Sequence, residues 1–468
     1  MAFKDLREFI AELEKRSLLS RVKKEVDWNL EVGAIMKRVF DAGGPAVVFE
    51  RVKDSDVPLL SGAMGTYERY AIGIDCANDI RSILAKILDA VGKPTVPVAA
   101  ARGACQENVL RGKEIDLYRF PTPHWHPLDG GRFIGTLGVV ITRDPETGKR
   151  NMGIYREQIL DRDKTGLLAA QHVGITLQKY RAMKRPMPIA TCIGVDPAIL
   201  AASCLQLPLG EDELGIAGAL RGEPVELVQC KTVDLQVPAS AEIVLEGSIP
   251  PDDAQWMEEG PFGEFTGYYG GDRMKRPTIY LSAVTHRDRP IYQGTFEDAP
   301  PNESAVLRTI GHTAGLWEKL KKTGVPGIKD VFLRGCASFI AVISLERQYY
   351  GGHARQVIDA VWAVAGGVKW VIVVDGDIDV FDWEQVEWAL STRVQPHRDI
   401  VISDERERGL HLDPSIPPEV RPYPINQSSR IGIDATTQFK GFAWPDPVQS
   451  TAETMAAVKA RWKEYGIS

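Results

Sequence analysis

The chain has 468 residues, 44% of them hydrophobic and 25% charged, and a formal net charge of -7. That length and balance describe a soluble globular protein of two or three domains, because a single core stops growing well before this size. The acidic balance excludes a dedicated nucleic-acid binder, which needs a basic excess to displace phosphate counterions, and points to a small-molecule substrate.

Leu6, Phe9, Ile10 and Leu13 recur at helical spacing, so the chain opens on an amphipathic helix. A second helical pattern runs from about Leu30 to Phe40, Ala46 to Phe49 reads as a short buried strand, and Asp79 to Val91 as another helix. These elements make an N-terminal α/β domain over 1–104, whose last stretch, VGKPTVPVAAARGACQENVLRG, reads as a linker. From about Arg132 the pattern changes to short strands. FIGTLGVVITRDPETGKRNMGIYREQIL reads as a hairpin around DPETGK, and strands follow at PMPIATCIGV, EPVELVQC, AEIVLEGSI and PTIYLSAVTHRDRPIYQGTF. One helix, near Gly166 to Lys184, interrupts this β-rich domain of 105–322, a sheet or barrel. After Gly324 strand and helix alternate: ASFIAVISL, HARQVIDAVWAV, VKWVIVVDGDIDV, WEQVEWALSTRV. That pattern predicts a separate α/β domain with a partly parallel sheet over 323–445. A Pro-rich stretch from Leu412 to Pro424 precedes the C-terminal helix of 446–468, with Met455, Val458 and Trp462 on one face, able to cap its own domain or dock on a partner subunit.

The six cysteines, at 76, 105, 192, 204, 230 and 336, lack CxxC or zinc-finger spacing and read as reduced thiols. The N-terminal MAFKDLREFIAELEKR has charges where a signal peptide needs an apolar run, and no later run reaches the ~18 apolar residues of a membrane span, so the expectation is a cytoplasmic protein.

Phosphate-loop, dinucleotide, nucleophile-elbow and HExxH signatures are all missing. MEEGPFGEFTGYYGG, from Met257 to Gly271, cannot be a helix, since Pro261 interrupts it and Gly260 and Gly263 permit unusual backbone angles. Glu259 and Glu264 therefore sit on a tight loop, which suits general acid or base work. The plainer alternative is a glycine-rich turn with solvated glutamates. His124 and His126, flanked by prolines at 121, 123 and 127, read as a structural loop rather than a metal site. In NMGIYREQ, Asn151 offers an amide oxygen to a hard cation and Arg156 a planar fork to a carboxylate or phosphate. With His172, beside Gln171 at a helix, and Glu213 in the polar loop LGEDELG, these residues offer a ligand set for manganese or magnesium. Their spacing is loose, and each reads equally as an ordinary polar residue of surface or core.

Taken in order, NMGIYR at 151–156, QH at 171–172, AAS at 201–203, ELG at 213–215, VPASAEIVLEG at 237–247 and EEGPFGEFTGYYGG at 258–271 resemble the UbiD family of prenylated-FMN-dependent (de)carboxylases. The likeness extends over essentially the whole chain, with VVDGDIDV and WALSTRVQP in the C-terminal third. The resemblance implies that Asn151, His172 and Glu213 hold manganese (or magnesium) that bridges to the cofactor phosphate, with potassium close to Ala201–Cys204. Asn151, Met152, Gly153, Ile154, Tyr155 and Arg156, with Gln171, would lie along the flavin. Arg156, Glu259 and Glu264 match the family's Glu, Arg, Glu network. Arg156 would pair with the substrate carboxylate, Glu264 would deliver the proton that replaces carbon dioxide, and Glu259 would tune the network. Phe265, Tyr268 and Tyr269 would wall an aromatic pocket, a role that core packing explains equally well. Lys369 stands several positions from where some members carry a phosphate-binding lysine, so that role is not transferred.

The implied fold is an N-terminal α/β segment, a central split-barrel-like flavin-binding β domain and a C-terminal α/β domain with a terminal oligomerisation helix. The implied assembly is a homodimer or hexamer of dimers, with the active site between the second and third domains and a flavin prenyltransferase supplying the cofactor. The implied reaction is non-oxidative, potentially reversible decarboxylation of an aromatic, heteroaromatic or conjugated carboxylic acid. The alternatives are an accessory subunit of a multi-subunit carboxylase and an ordinary FMN-dependent split-barrel oxidoreductase.

Overall fold

Three sheets organise the chain in this computed structural model, which describes residues 3–335, 338–403, 407–410, 412–417, 427–448 and 450–467. The first is small. Strands Leu19–Val22, Ala46–Phe49 and Leu59–Ser61 are completed by Tyr292–Gln293, which arrives from the far end of the central region. Helix Leu6–Lys15 buries the four predicted apolar residues and is capped by Asp5, whose side chain accepts from the Glu8 N–H.

The second sheet has eight strands. Seven form a path in the order Arg150–Ile154, Val139–Arg143, Met187–Ile193, Ile243–Ile249, Thr278–His286, Lys164–Leu167, Glu157–Asp161, and Asn108–Arg111 also pairs with Thr278–His286. The two ends of this path, Arg150–Ile154 and Glu157–Asp161, are neighbours in sequence, separated only by Tyr155 and Arg156. So short a link joins the outermost strands only if the sheet curls until its edges meet. The result is the expected split barrel, closed at a seam where Arg156 sits.

The third sheet, Ile328–Arg334, Ile340–Leu345, Trp370–Asp375, Ile431–Ala435 and Ile400–Ile402, is parallel in its middle and antiparallel at both edges. Helix Glu303–Lys321 leads into it from the barrel, capped by the Asn302 side chain.

Four features differ from the sequence reading. The supposed linker carries strand Val98–Ala99, parallel to Glu226–Gln229, as well as barrel strand Asn108–Arg111. The central region holds helices Pro197–Ser203 and Glu213–Arg221 besides Gln171–Ala182. Glu213 therefore opens a helix instead of lying in a loop. The strand Ile328–Arg334 was not expected, and the terminal helix is short, Ala452–Ala460 with a 3-10 turn at Trp462–Tyr465. Residues 418–424 of the Pro-rich stretch lie outside the described residues. Among the described residues no helix is long and apolar enough to cross a membrane.

Candidate functional site

The segment around Glu259 and Glu264 folds as two nested ladders. Met257–Glu259 pairs with Met274–Arg276, and inside it Phe262–Gly263 pairs with Tyr269–Gly270. Glu264 begins the tip, where its N–H donates to Tyr268 O and its carbonyl accepts from Gly267 N–H. Neither carboxylate is solvated: Glu259 is 0% exposed and Glu264 5%. Both close on the barrel seam. Arg156 grips Glu259 with two parallel bonds, Nε to Oε1 at 3.0 Å and Nη2 to Oε2 at 3.1 Å, and its Nη1 donates to Glu264 Oε1. The alternative of a solvated turn is thereby removed.

Charge balance explains the electrostatics. Burial works against the Arg156 cation, but Glu264 and Glu259 more than offset it and its pKa rises. Burial pushes the Glu264 carboxyl above the ordinary glutamate value, Arg156 pulls it back, and the charge of Glu259 pushes it up again.

Sequence reasoning missed the residues that hold this hairpin. Asp129 receives the His126 N–H and imidazole Nδ1 on Oδ2, each at 3.0 Å, and the Gly263 N–H on Oδ1 at 2.8 Å. The other imidazole nitrogen of His126 lies 2.6 Å from Glu297 O, and both ring nitrogens of His124 are engaged as well, by Asn29 and by Asp129 O. With no free ring nitrogen, this histidine pair is a clamp on the loop, as its prolines foretold. The acidic partner was legible in the sequence as Asp129, three residues after His126. Gly263 allows the ring to lie against the chain, since a Cβ there would stand 2.5 Å from His126 Nδ1.

The three expected metal ligands meet the strand Arg150–Ile154. The Asn151 Oδ1 is 3.0 Å from His172 Nδ1, and the Glu213 carboxylate accepts from the Met152 N–H at 3.1 Å. With Nδ1 protonated and donating to Asn151, the His172 Nε2 keeps a lone pair for a metal. Among the described residues the Asn151 amide nitrogen is buried without a partner. Burial pushes the Glu213 carboxyl up to about 8 and pulls the His172 imidazole down, and Lys319 on the helix Glu303–Lys321 adds to the latter. An amide oxygen, an imidazole and a buried carboxylate short of positive charge fit a divalent cation. Ala170, before helix Gln171–Ala182, supplies no side-chain cap. Tyr155 folds back over Gly153, and burial raises its phenol to about 12.

Of the aromatic residues, Phe265 is buried beneath Arg308, 3.6 Å from guanidinium carbon to ring centroid, whereas Tyr268 is 64% exposed. The Tyr269 hydroxyl accepts from Leu128 N–H. Leu412, from the C-terminal region, lies against Gly270 beside Glu264, so the hairpin is covered from that side. Lys369 pairs with Asp413 at 2.9 Å.

Three domain profiles described as 3-octaprenyl-4-hydroxybenzoate carboxy-lyase match the chain consecutively: the N-terminal domain over 10–91, the Rift-related domain over 96–300 and the C-terminal domain over 305–435. Among solved structures, the UbiD-class enzyme HmfF from Pelotomaculum thermopropionicum, in an evolved dimeric form with prenylated FMN (prFMN), is 37% identical. That match covers 95% of this chain and 97% of the other, at a TM-score of 0.82. Vanillic acid decarboxylase from Sedimentibacter hydroxybenzoicus in its closed form is 31% identical over 100% of both chains, with a TM-score of 0.91. The open form of that enzyme gives 0.84. The 3,4-dihydroxybenzoic acid decarboxylase AroY of Klebsiella pneumoniae is 29% identical over 98% and 99%, at 0.80. Profiles over all three regions, and identity above 30% along nearly the full length, place the chain in the UbiD family of carboxy-lyases.

Proposed function

We propose that this chain is a prenylated-FMN-dependent decarboxylase of an aromatic or heteroaromatic carboxylic acid, with Arg156, Glu259 and Glu264 as its acid–base machinery. The observation that carries the reading is one buried guanidinium shared unequally between two buried carboxylates, two bonds to Glu259 and one to Glu264. An ordinary redox flavoprotein has no use for such an arrangement.

Prenylated FMN, when bound, supplies the electron sink that cleavage of a carboxylate from an sp2 carbon requires. Asn151, His172 and Glu213 would hold manganese (or magnesium) against its phosphate, Met152, Gly153, Ile154, Tyr155 and Gln171 would border it, and potassium would lie near Ala201–Cys204. The Nη1 edge of Arg156, which bonds Glu264, is where a substrate carboxylate enters. As it displaces Glu264, that residue loses its cationic partner and gains a like charge nearby, both of which raise its proton affinity. Substrate binding therefore loads Glu264 with a proton from solvent. Once carbon dioxide departs, Glu264 delivers this proton to the vacated carbon and returns to Arg156. The buried hairpin excludes water meanwhile.

A flavin prenyltransferase supplies the cofactor in this reading, and the assembly is a homodimer or a hexamer of dimers. The test compares two variants of chain co-expressed with such a prenyltransferase. Glu264→Gln should retain cofactor and metal but lose turnover by at least about 100-fold, the lower range for a general acid. His172→Ala should lose manganese and flavin together. Wild-type turnover in Glu264→Gln would contradict the proton-donor role.

A further inference from the structure

Glu259 is held from two sides. Opposite the Arg156 fork, Arg276 on the return strand Met274–Arg276 brings its Nε within 2.9 Å of Glu259 Oε2 as an ion pair. Its side chain is 18% exposed, so solvent screens this contact little. The hairpin register makes the approach possible: Met257 pairs with Arg276, which sets its guanidinium diagonally across from Glu259. Glu264 has no such second grip within the hairpin.

The charged groups facing the two carboxylates come from four directions: Arg156 from the seam, Arg276 from the return strand, Arg308 from the helix Glu303–Lys321, and Glu297 with the His126–Asp129 pair from the loops behind. Arg156 alone cannot decide which carboxylate keeps a proton, because both share it. Two guanidiniums in contact with Glu259, against one Arg156 bond and the Coulombic pull of Arg308 on Glu264, tip the balance, since ionisation is favoured where positive charge is concentrated.

We propose that Arg276 is a positioning residue that keeps Glu259 ionised and so reserves the single exchangeable proton of the network for Glu264, making the working unit Arg276–Glu259–Arg156–Glu264. The inference rests on the acid–base reading above. Without Arg276 the pair of carboxylates would lose one of the guanidiniums that face it, its overall proton affinity would rise, and the proton would be divided between Glu259 and Glu264. A proton on Glu259 also loosens the two-bond grip that orients Arg156 toward substrate.

The test is an isotope-edited infrared titration of the cofactor-loaded protein carrying 13C-labelled glutamate, run beside the pH profile of kcat/KM. In the parent, the buried carboxyl signal of the network should vanish on Glu264→Gln. In Arg276→Met its midpoint should move up by about one pH unit, of the size expected for losing one charge a few ångströms away in a screened interior. The Arg276→Met/Glu264→Gln double variant should then show a protonated carboxyl that Glu264→Gln alone lacks, and Arg276→Lys, which keeps the charge, should restore the parent midpoint. An unmoved midpoint in Arg276→Met, or an equal displacement in Arg276→Lys, would overturn the proposal. Full turnover in Glu264→Gln would instead sink the proton-donor role, while the infrared result would still say where the proton resides.

Discussion

Buried carboxylates decide how this molecule responds to pH, and they fall into two kinds. Glu264 has a cation in contact, whereas Glu157, the residue after Arg156, has none among the described residues. Glu157 is 0% exposed and, among the described residues, its carboxylate is bonded by the hydroxyls of Thr165, at 3.0 Å, and Thr191. Burial pushes its carboxyl from 4.5 up to about 7, against the pull of those hydroxyls. Because the folded value lies above the unfolded one, the stability Glu157 contributes is present below pH 4.5 and lost as the pH rises through about 7. The loss is on the order of 3 kcal/mol. Glu157→Gln should flatten that part of the pH dependence, so that the gap in unfolding free energy between pH 5 and pH 8 narrows in denaturant titrations. An unchanged gap would mean that Glu157 stays neutral, or finds a cation, throughout. At the active pair the expectation for catalysis has the same sign. A donor with a raised pKa stays protonated to higher pH, so the alkaline limb of kcat should lie above the ordinary carboxylate range.

At the scale of elements, the catalytic hairpin works because its neighbours leave no slack. A Cβ on Gly270 would fall 2.4 Å from Glu264 Cγ and 2.9 Å from Leu412 Cδ2, both closer than side chains approach. Gly270→Ala should therefore push Glu264 from Arg156 and lower kcat by roughly 10-fold to 100-fold, while flavin content, which the proposed function assigns to Asn151 and His172, stays at the parent level. Measured kcat beside flavin stoichiometry separates this outcome from general unfolding. The hairpin also shows how far the sequence could be read. Its glycines and Pro261 announce a non-helical loop, and the resemblance picks out both glutamates. Neither signal could reveal that Arg276 returns beside Glu259, because that depends on strand register. Helix Pro197–Ser203 was legible and overlooked: Asp196 accepts from Ala198 and Ile199 N–H groups and Pro197 takes the first helical position, a standard start signal. Helix Glu213–Arg221 was harder. Gly215 and Gly218 argue for a loop locally, but they let the helix press against Thr95, a contact made by tertiary packing. The curl of the barrel was legible through the resemblance but not from the strands themselves, since the two-residue link at Tyr155 and Arg156 acquires its meaning only once the strand order is known.

Across the whole molecule, one core joins what the sequence divides. Leu6 and Phe9 of the first helix, Ile83 and Ile87 of the helix Ile80–Gly92, Ile141 and Cys192 of the barrel, and Leu307 and Ile310 of the helix Glu303–Lys321 belong to a single buried cluster. Arg81 adds a polar tie, bonding Asp330 and Asp379 of the C-terminal sheet region at 2.9 Å each. The terminal helix stands apart from this core, with Met455 and Trp462 56% and 46% exposed. An apolar face left bare on a subunit is what an interface between copies would cover. Trp462→Glu should therefore reduce the mass of the assembly in light scattering without changing the subunit's far-ultraviolet circular dichroism. An unchanged mass would count against an assembly formed through this face.

The account stands or falls on what replaces the departing carboxyl group. Cofactor-loaded protein should be incubated in deuterium oxide with a panel of aromatic and heteroaromatic acids, and the products examined by mass spectrometry and NMR. The account predicts carbon dioxide together with a product carrying one deuterium at the vacated carbon, and no product when Glu264→Gln is used. Oxidised or reduced substrate with its carboxyl group intact would contradict it.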